Sequence, residues 1–385
     1  MKKKVRKYLI SYILLLFSLN TSLAYSACGT EAACEGKREK ETIALLVHRG
    51  TANKLKNALR QYRNDVESNF NVRLLILPGS WTSADEMRST LKNLYRTRKI
   101  SGGVLVGALP MHKFHMHDFN NPDALYYEDF DLKFEDLDGD GISDRYSGVP
   151  HLKIWVANLR ATEKENDEGL DLLSIFFQKT HDYYSGRTHV PDKALAATGS
   201  DWPDGASEFA VNYGNKLFGN ENLTVLGPDQ TTKERLMDEF NNNAFRMFYI
   251  QVHSGEASQR TEKGIIHSSE IAGLEKGALF IINHGCSTCN WLKAAAKSER
   301  NTGMSWVFGK SIGQAVICNV RVGMVFGQDS IYSAINKGCY AGQAYLAGKR
   351  AAEKEMNTEY PDGKIVSGVT FIGNPFIYPA PSKKK

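Results

Sequence analysis

Two short apolar runs, each closed by a histidine and small residues, constrain what this chain can fold into more than anything else in it. Phe245-Arg246-Met247-Phe248-Tyr249-Ile250-Gln251-Val252 leads into His253-Ser254-Gly255. Ala278-Leu279-Phe280-Ile281-Ile282-Asn283 leads into His284-Gly285-Cys286-Ser287-Thr288-Cys289-Asn290-Trp291. Such runs, closed by Gly and Ser, read as buried parallel strands, and the carboxyl ends of parallel strands open onto the ligand crevice of an α/β sheet. A histidine and a thiol are thereby expected at one sheet edge. A cysteine needs a nearby base or cation to become a thiolate, and an imidazole at the neighbouring strand end supplies one without contact along the sequence. Cysteine-peptidase chemistry is the leading expectation.

The rest of the chain carries the same alternation. Thr42 to Val47, Val72 to Leu77 and Gly103 to Gly107 read as strands, with helical spacing in Ala52 to Phe70 through Leu55, Leu59, Tyr62 and Val66, and again in Ala84 to Arg98. An irregular, Asp-rich stretch from Met111 to Pro150 follows, then strand character at Leu152 to Val156 and a helix over Glu163 to Tyr184. The second half reads as strand Ala194 to Thr198, helix Ser207 to Phe218, strand Leu223 to Leu226 and helix Thr232 to Asn241. The two reactive strands, strand Gln314 to Val320 and helix Ala341 to Glu355 complete it. Strand and helix in turn predict an α/β fold with a doubly wound, mostly parallel sheet. The expected organisation of the 385 residues is a signal peptide 1–26, an N-terminal segment 27–41, an α/β subdomain 42–150, a catalytic α/β subdomain 151–380 and a basic tail 381–385.

Lys2, Lys3, Lys4, Arg6 and Lys7 precede the apolar run Tyr8 to Phe17 and the small-residue site Ala24-Tyr25-Ser26, the pattern of a secretory signal cleaved after Ser26. A lipoprotein anchored at Cys28 ranks second, because Tyr25-Ser26-Ala27 is a poor lipid-attachment site. The expected location is therefore periplasmic, cell-surface or secreted. Those five basic residues account for the formal net charge of +5, so the mature chain is near neutral. It has no phosphate-binding footprint, and nucleic acid is not an expected partner. No second apolar stretch is long enough to span a membrane. Of the six cysteines, Cys28 and Cys34 close a short loop that would tolerate a disulfide outside the cytoplasm. The other four sit in patterned sequence and read as packed or catalytic thiols rather than a disulfide framework, with Cys286 and Cys289 open as a redox pair.

At this point the sequence resembles the gingipain-type cysteine peptidases, which share a clan with caspases, legumain and clostripain. The resemblance runs from about Thr42 to about Pro379. It rests on His253 and Cys286 after successive apolar strands, on Ser287-Thr288-Cys289-Asn290-Trp291 after the thiol, and on Phe371-Ile372-Gly373-Asn374-Pro375 near the end. It implies a caspase-like, gingipain-like three-layer sandwich of two tandem subdomains, with Cys286 as nucleophile, His253 as base and a protein or peptide as substrate. Backbone amides around Ser254, Gly255 and Gly285 are implied to hold the oxyanion. The chain departs from the family in having Ser254 where Gly follows the histidine, Cys289 for Gly and Asn374 for Asp. A serine at 254 serves only if the turn does not demand positive φ.

A third group should hold the imidazole in one tautomer. Ala194 to Thr198 is an apolar strand ending near Asp201, and the gingipain-type enzymes carry an acid at the matching strand end, so Asp201 is the expected orienting residue. Its alternative role is a turn cap before Pro203-Asp204-Gly205. His284 shares a strand face with Cys286 and reads as packing or hydrogen bonding, and His267 as a loop histidine and rival base. In arginine-specific relatives an acid after that strand lines the specificity pocket, and Glu208 falls near the matching place, where an exposed acid in a first helical turn is the plainer reading.

Asp136-Leu137-Asp138-Gly139-Asp140-Gly141-Ile142-Ser143-Asp144 places oxygen donors at every second position with glycine for the sharp turn, the front of a calcium loop, although Ser147 stands where a bidentate Glu is usual. A structural calcium held by Asp136, Asp138, Asp140 and Asp144 is expected, with no organic cofactor. Oligomeric state is left open. The leading reading is an exported cysteine endopeptidase, cutting after a basic residue. The rivals are a catalytically inactive calcium-binding envelope protein on the same fold and a thiol-disulfide oxidoreductase using Cys286 and Cys289.

Overall fold

The structure is a computed structural model that describes residues 39–116, 119–297, 299–323, 327–359 and 368–381. The expected signal peptide, the Cys28 anchor, a Cys28–Cys34 pairing and the closing lysines lie outside them. Ten strands form one sheet: β1 Glu41–His48, β2 Val72–Gly79, β3 Ile100–Val106, β4 Trp155–Leu159, β5 Ala194–Thr198, β6 Leu223–Leu226, β7 Ala244–Gln251, β8 Gly277–Asn283, β9 Ala315–Asn319 and β10 Val369–Gly373. Their spatial order is β6-β5-β7-β8-β9-β10-β4-β3-β1-β2.

Every neighbouring pair is parallel except β9 with β10, which is antiparallel, while β10 runs parallel to β4. The sheet therefore consists of two parallel halves running in opposite directions, and their carboxyl ends open on opposite edges. β4 follows Pro150, the sequence boundary between subdomains, yet pairs with β3; the change of direction falls between β9 and β10.

Alternation explains the layers. Ile43, Leu45 and Val47 of β1 join one buried cluster while Ala44 and Leu46 join another, so both faces of the strand are covered. Helix α1 (Lys56–Asn69) supplies Leu59, Tyr62 and Val66 to the first cluster, and α2 (Ala84–Arg98) supplies Met87 and Leu91 to the second. Helix α3 (Asp167–Tyr184) packs with α1, where the ring centroid of Phe177 lies 5.4 Å from that of Tyr62. Sheet between helical layers is the three-layer arrangement.

Local chemistry moves some boundaries. The Asn166 side chain accepts from the Gly169 amide at 2.8 Å, so α3 starts at Asp167 and not at Glu163. Leu152 and Lys153 donate their amides to Glu353 Oε1 and the Glu128 carbonyl, both at 2.8 Å, which keeps them out of the ladder and starts β4 at Trp155. The helix expected over Ser207 to Phe218 is broken into Gly205–Phe209, a wider π turn at Ala210–Gly214 and Asn215–Phe218. β10 is a strand that the sequence reading passed over. It is followed by Asn374, whose side chain accepts from the Tyr62 hydroxyl at 2.9 Å and donates to Tyr184 at 3.0 Å, fastening the sheet to α1 and α3. Among the described residues no helix is long and apolar enough to cross a membrane.

Candidate active site

β7 and β8 are neighbours with Ile250 opposite Asn283. His253 and Cys286 each stand three residues beyond that pair, so two strands about 5 Å apart deliver them to one edge. The His284 amide donates to the Ile250 carbonyl at 2.9 Å and carries the pairing one step further. β5 flanks β7 on its other side, and Asp201 follows β5. Three adjacent strands thus present acid, imidazole and thiol in that order.

The His253 Nε2–H donates to Asp201 Oδ2, and among the described residues Nδ1 has no hydrogen-bond partner. The side chains are 56% and 63% exposed. The turn that presents Asp201 is held by two amides: Gly199 donates to the Gln251 carbonyl at 2.9 Å and Ser200 to Glu262 Oε1 at 2.7 Å. The Trp202 ring centroid lies 4.9 Å from that of His253.

Cys286 is a free, half-buried thiol, and the Gly323 amide donates to its sulfur at 3.2 Å. Gly323 lies so close to the His284 carbonyl that any Cβ would collide with it. Ser287, next after the thiol, has φ 57°, a left-handed conformation unusual for a residue with a side chain, and its amide donates to the Arg321 carbonyl at 2.7 Å. Strain of this kind concentrates at functional turns. The loop is braced from the other half of the molecule, where Asn290 Nδ2 donates to Asn121 Oδ1 at 2.9 Å.

The backbone donors sort themselves. The Gly285 amide donates to Asn283 Oδ1 at 2.9 Å, and its hydrogen side chain admits Ser254. Gly255 pairs with Ser258 in a small antiparallel hairpin. Among the described residues the Cys286 amide has no acceptor. Ser254 is not one of the two non-glycine residues with positive φ, Lys99 and Ser287, so this turn does not demand glycine at 254.

The other histidines take structural positions. His284 is buried with its ring 5.2 Å from that of Tyr249. His267 precedes the helix Ser268–Gly273, and its amide donates to Glu270 Oε2 at 3.0 Å.

Two sequence expectations about cysteine are corrected. Cys289 is joined to Cys318 by a disulfide with Cα atoms 5.7 Å apart, and Cys339 is also disulfide-bonded, so these three are not free packed thiols. The redox pair of Cys286 with Cys289 is not formed, because Cys289 faces the end of β9 while Cys286 faces Gly323.

Beside the histidine strand opens a cleft of about 450 Å³ lined by Glu208, Asn212, Tyr213, Tyr249, Gln251 and Asp329 among others. The Tyr213 hydroxyl donates to Asp329. Burial, with a side-chain bond from Gln328 opposing and the Glu208 charge adding, pushes Tyr249 up to about 12. Burial and then Asp329 raise Tyr213. In the acidic loop, carboxylate oxygens of Asp136, Asp138 and Asp144 converge within 4.8 Å of one another, a group that does not include Asp140. The Gly141 amide and then the Gly139 amide hold Asp136 below its usual range.

A scan against protein-family models and a search of curated proteins return no match. Among solved structures, one described as "Structure of Protease" superposes with a TM-score of 0.62 at 13% identity, over 88% of this chain and 78% of the other. The architecture is the caspase-like α/β sandwich. At that identity the likeness is one of fold. The Saccharomyces cerevisiae separase–securin complex also matches, at 12% identity and a TM-score of 0.38, over 58% of this chain and 14% of that one, too low to carry an argument.

Sequence reasoning missed Gly323, Asp329, Glu262 and the Cys318 partner of Cys289. Each lies far along the chain from the residue it serves. The only local signals were a glycine at 323 and a cysteine closing an apolar strand at 318.

Proposed function

We propose that this chain is an exported cysteine endopeptidase that cuts after a basic residue. One observation carries the reading: a free thiol with a backbone donor on its sulfur stands at the end of the strand beside the one whose histidine is bonded to Asp201. The fold shared with a protease agrees with it. In this reading Cys286 thiolate attacks the scissile carbonyl, and amides of Cys286 and Ser254 receive the oxyanion. His253 protonates the leaving amine, then takes a proton from the water that hydrolyses the thioester, while Asp201 keeps Nδ1 available. The two acids Glu208 and Asp329, both lining the cleft beside the histidine strand, would give it the charge to hold Lys or Arg before the cut.

The oxygen-only donor set of Asp136, Asp138 and Asp144 fits a hard cation such as calcium, which would neutralise three converging carboxylates and hold the loop. Asp140 stands outside that group. The ion does no chemistry here.

The test is hydrolysis of a fluorogenic peptide library by the exported chain and by Cys286→Ala, with Glu208→Gln as a third protein. The reading predicts cleavage after Lys or Arg, abolished by the first change and weakened at least tenfold in KM by the second. Well-folded wild type that cleaves nothing would instead favour the inactive calcium-binding protein.

A further inference from the structure

Ser254 stands directly after His253 and opens the hairpin Ser254–Gly255 with Ser258–Arg260. Its hydroxyl is buried and, among the described residues, has no hydrogen-bond partner. It lies hard against Gly285, where any Cβ would run into it. Asn283 Oδ1, on the same side of Gly285, accepts from the Gly285 amide. The Oγ is therefore held between the histidine strand and Gly285, the residue before Cys286, and the Cys286 amide has no acceptor among the described residues. A buried donor left unpaired costs free energy, and a fold tolerates that where the partner arrives only during function.

From this placement we propose that the Ser254 hydroxyl is a side-chain donor to the oxyanion, acting with the Cys286 amide. The inference rests on the peptidase reading and adds a group to it. When Sγ forms its bond to the carbonyl carbon, the C=O π pair moves onto oxygen, which then accepts from Ser254 Oγ–H without taking its proton. On collapse that pair re-forms the carbonyl, the C–N bond breaks, and the proton on the departing amine comes from His253. The hydroxyl is thus satisfied in the transition state and unsatisfied before it, which is the condition for a donor to raise kcat rather than lower KM.

The test compares wild type with Ser254→Ala and Ser254→Gly using three readouts. Iodoacetamide alkylates Cys286 without forming an oxyanion; a peptide aldehyde ending in arginine adds Cys286 to give a tetrahedral oxygen; a peptide amide reports kcat/KM. The inference predicts alkylation within twofold of wild type in both variants, aldehyde binding weakened about tenfold or more, and kcat/KM lowered about 10²-fold, mostly in kcat. Aldehyde affinity and kcat/KM within twofold of wild type would overturn it. So would a parallel loss of alkylation and aldehyde binding, the mark of a displaced Cys286. If no protein, wild type included, binds the aldehyde while Cys286 still alkylates, the peptidase reading fails first and this inference with it.

Discussion

The bond between His253 and Asp201 sits in the open, with more than half of each side chain exposed, and that sets its worth. An exposed pair contributes about 1 kcal/mol at most, which is roughly fivefold in rate. Asp201→Asn should therefore lower kcat/KM only about fivefold in steady-state assays, while Cys286→Ala removes hydrolysis. A loss of three decades in the Asn variant would show that substrate desolvates the pair. Gly323 should be far less forgiving. Its amide serves the sulfur and its Cα faces the His284 carbonyl backbone, so Gly323→Ala forces the loop apart and should abolish both hydrolysis and iodoacetamide labelling of Cys286. Normal labelling would contradict the role given to that amide. At this scale the thiol, imidazole and acid were legible because each closes an apolar strand. Gly323 was not, since a lone glycine in sequence does not disclose which backbone it must approach.

Between elements, the Cys289–Cys318 disulfide ties the nucleophile loop to β9 across 29 residues. Closing a loop of that length limits the unfolded chain by about 3–4 kcal/mol. The loop is also held by the Ser287 amide on Arg321 and the Cys289 amide on Asn319 at 2.9 Å. Replacing both cysteines by alanine should then lower the urea unfolding free energy by about 3 kcal/mol with kcat changed less than threefold; collapse of kcat would mean that the disulfide, not the amides, shapes the loop. The acidic loop should respond to its ion. If Asp136, Asp138 and Asp144 bind calcium, added calcium at a hundredfold excess over Kd stabilises the fold by about 2.7 kcal/mol, and Asp136→Asn with Asp138→Asn removes the shift in thermal melts. Strands buried on both faces were readable as continuous apolar runs. β10 was not, because Val369 to Gly373 takes its place by pairing antiparallel with β9 and parallel with β4, partners far upstream in the chain.

For the whole molecule, stability should carry one unusual pH signature. Glu353, buried against Leu152, has its carboxyl pushed by burial from 4.5 up to about 7. A carboxyl raised above its unfolded value contributes stability that is fully present below about pH 4.5 and lost as pH rises through about 7. Melting temperature should fall across that window in wild type and stay flatter in Glu353→Gln, measured by calorimetry. The direction reversal at β9 and β10 was illegible for a related reason: strand polarity depends on long-range pairing and leaves no periodic trace in the chain. It places the carboxyl end of the β5, β7 and β8 group on one edge, and the proposed chemistry belongs there. The most direct test of that claim is intact-protein mass spectrometry with an acyloxymethyl ketone on a peptide ending in arginine, followed by mapping of the adduct. The account predicts one adduct, on Cys286, lost in His253→Ala and much slower with an aspartate-ending probe. Labelling that survives His253→Ala, or that falls on another residue, would contradict it.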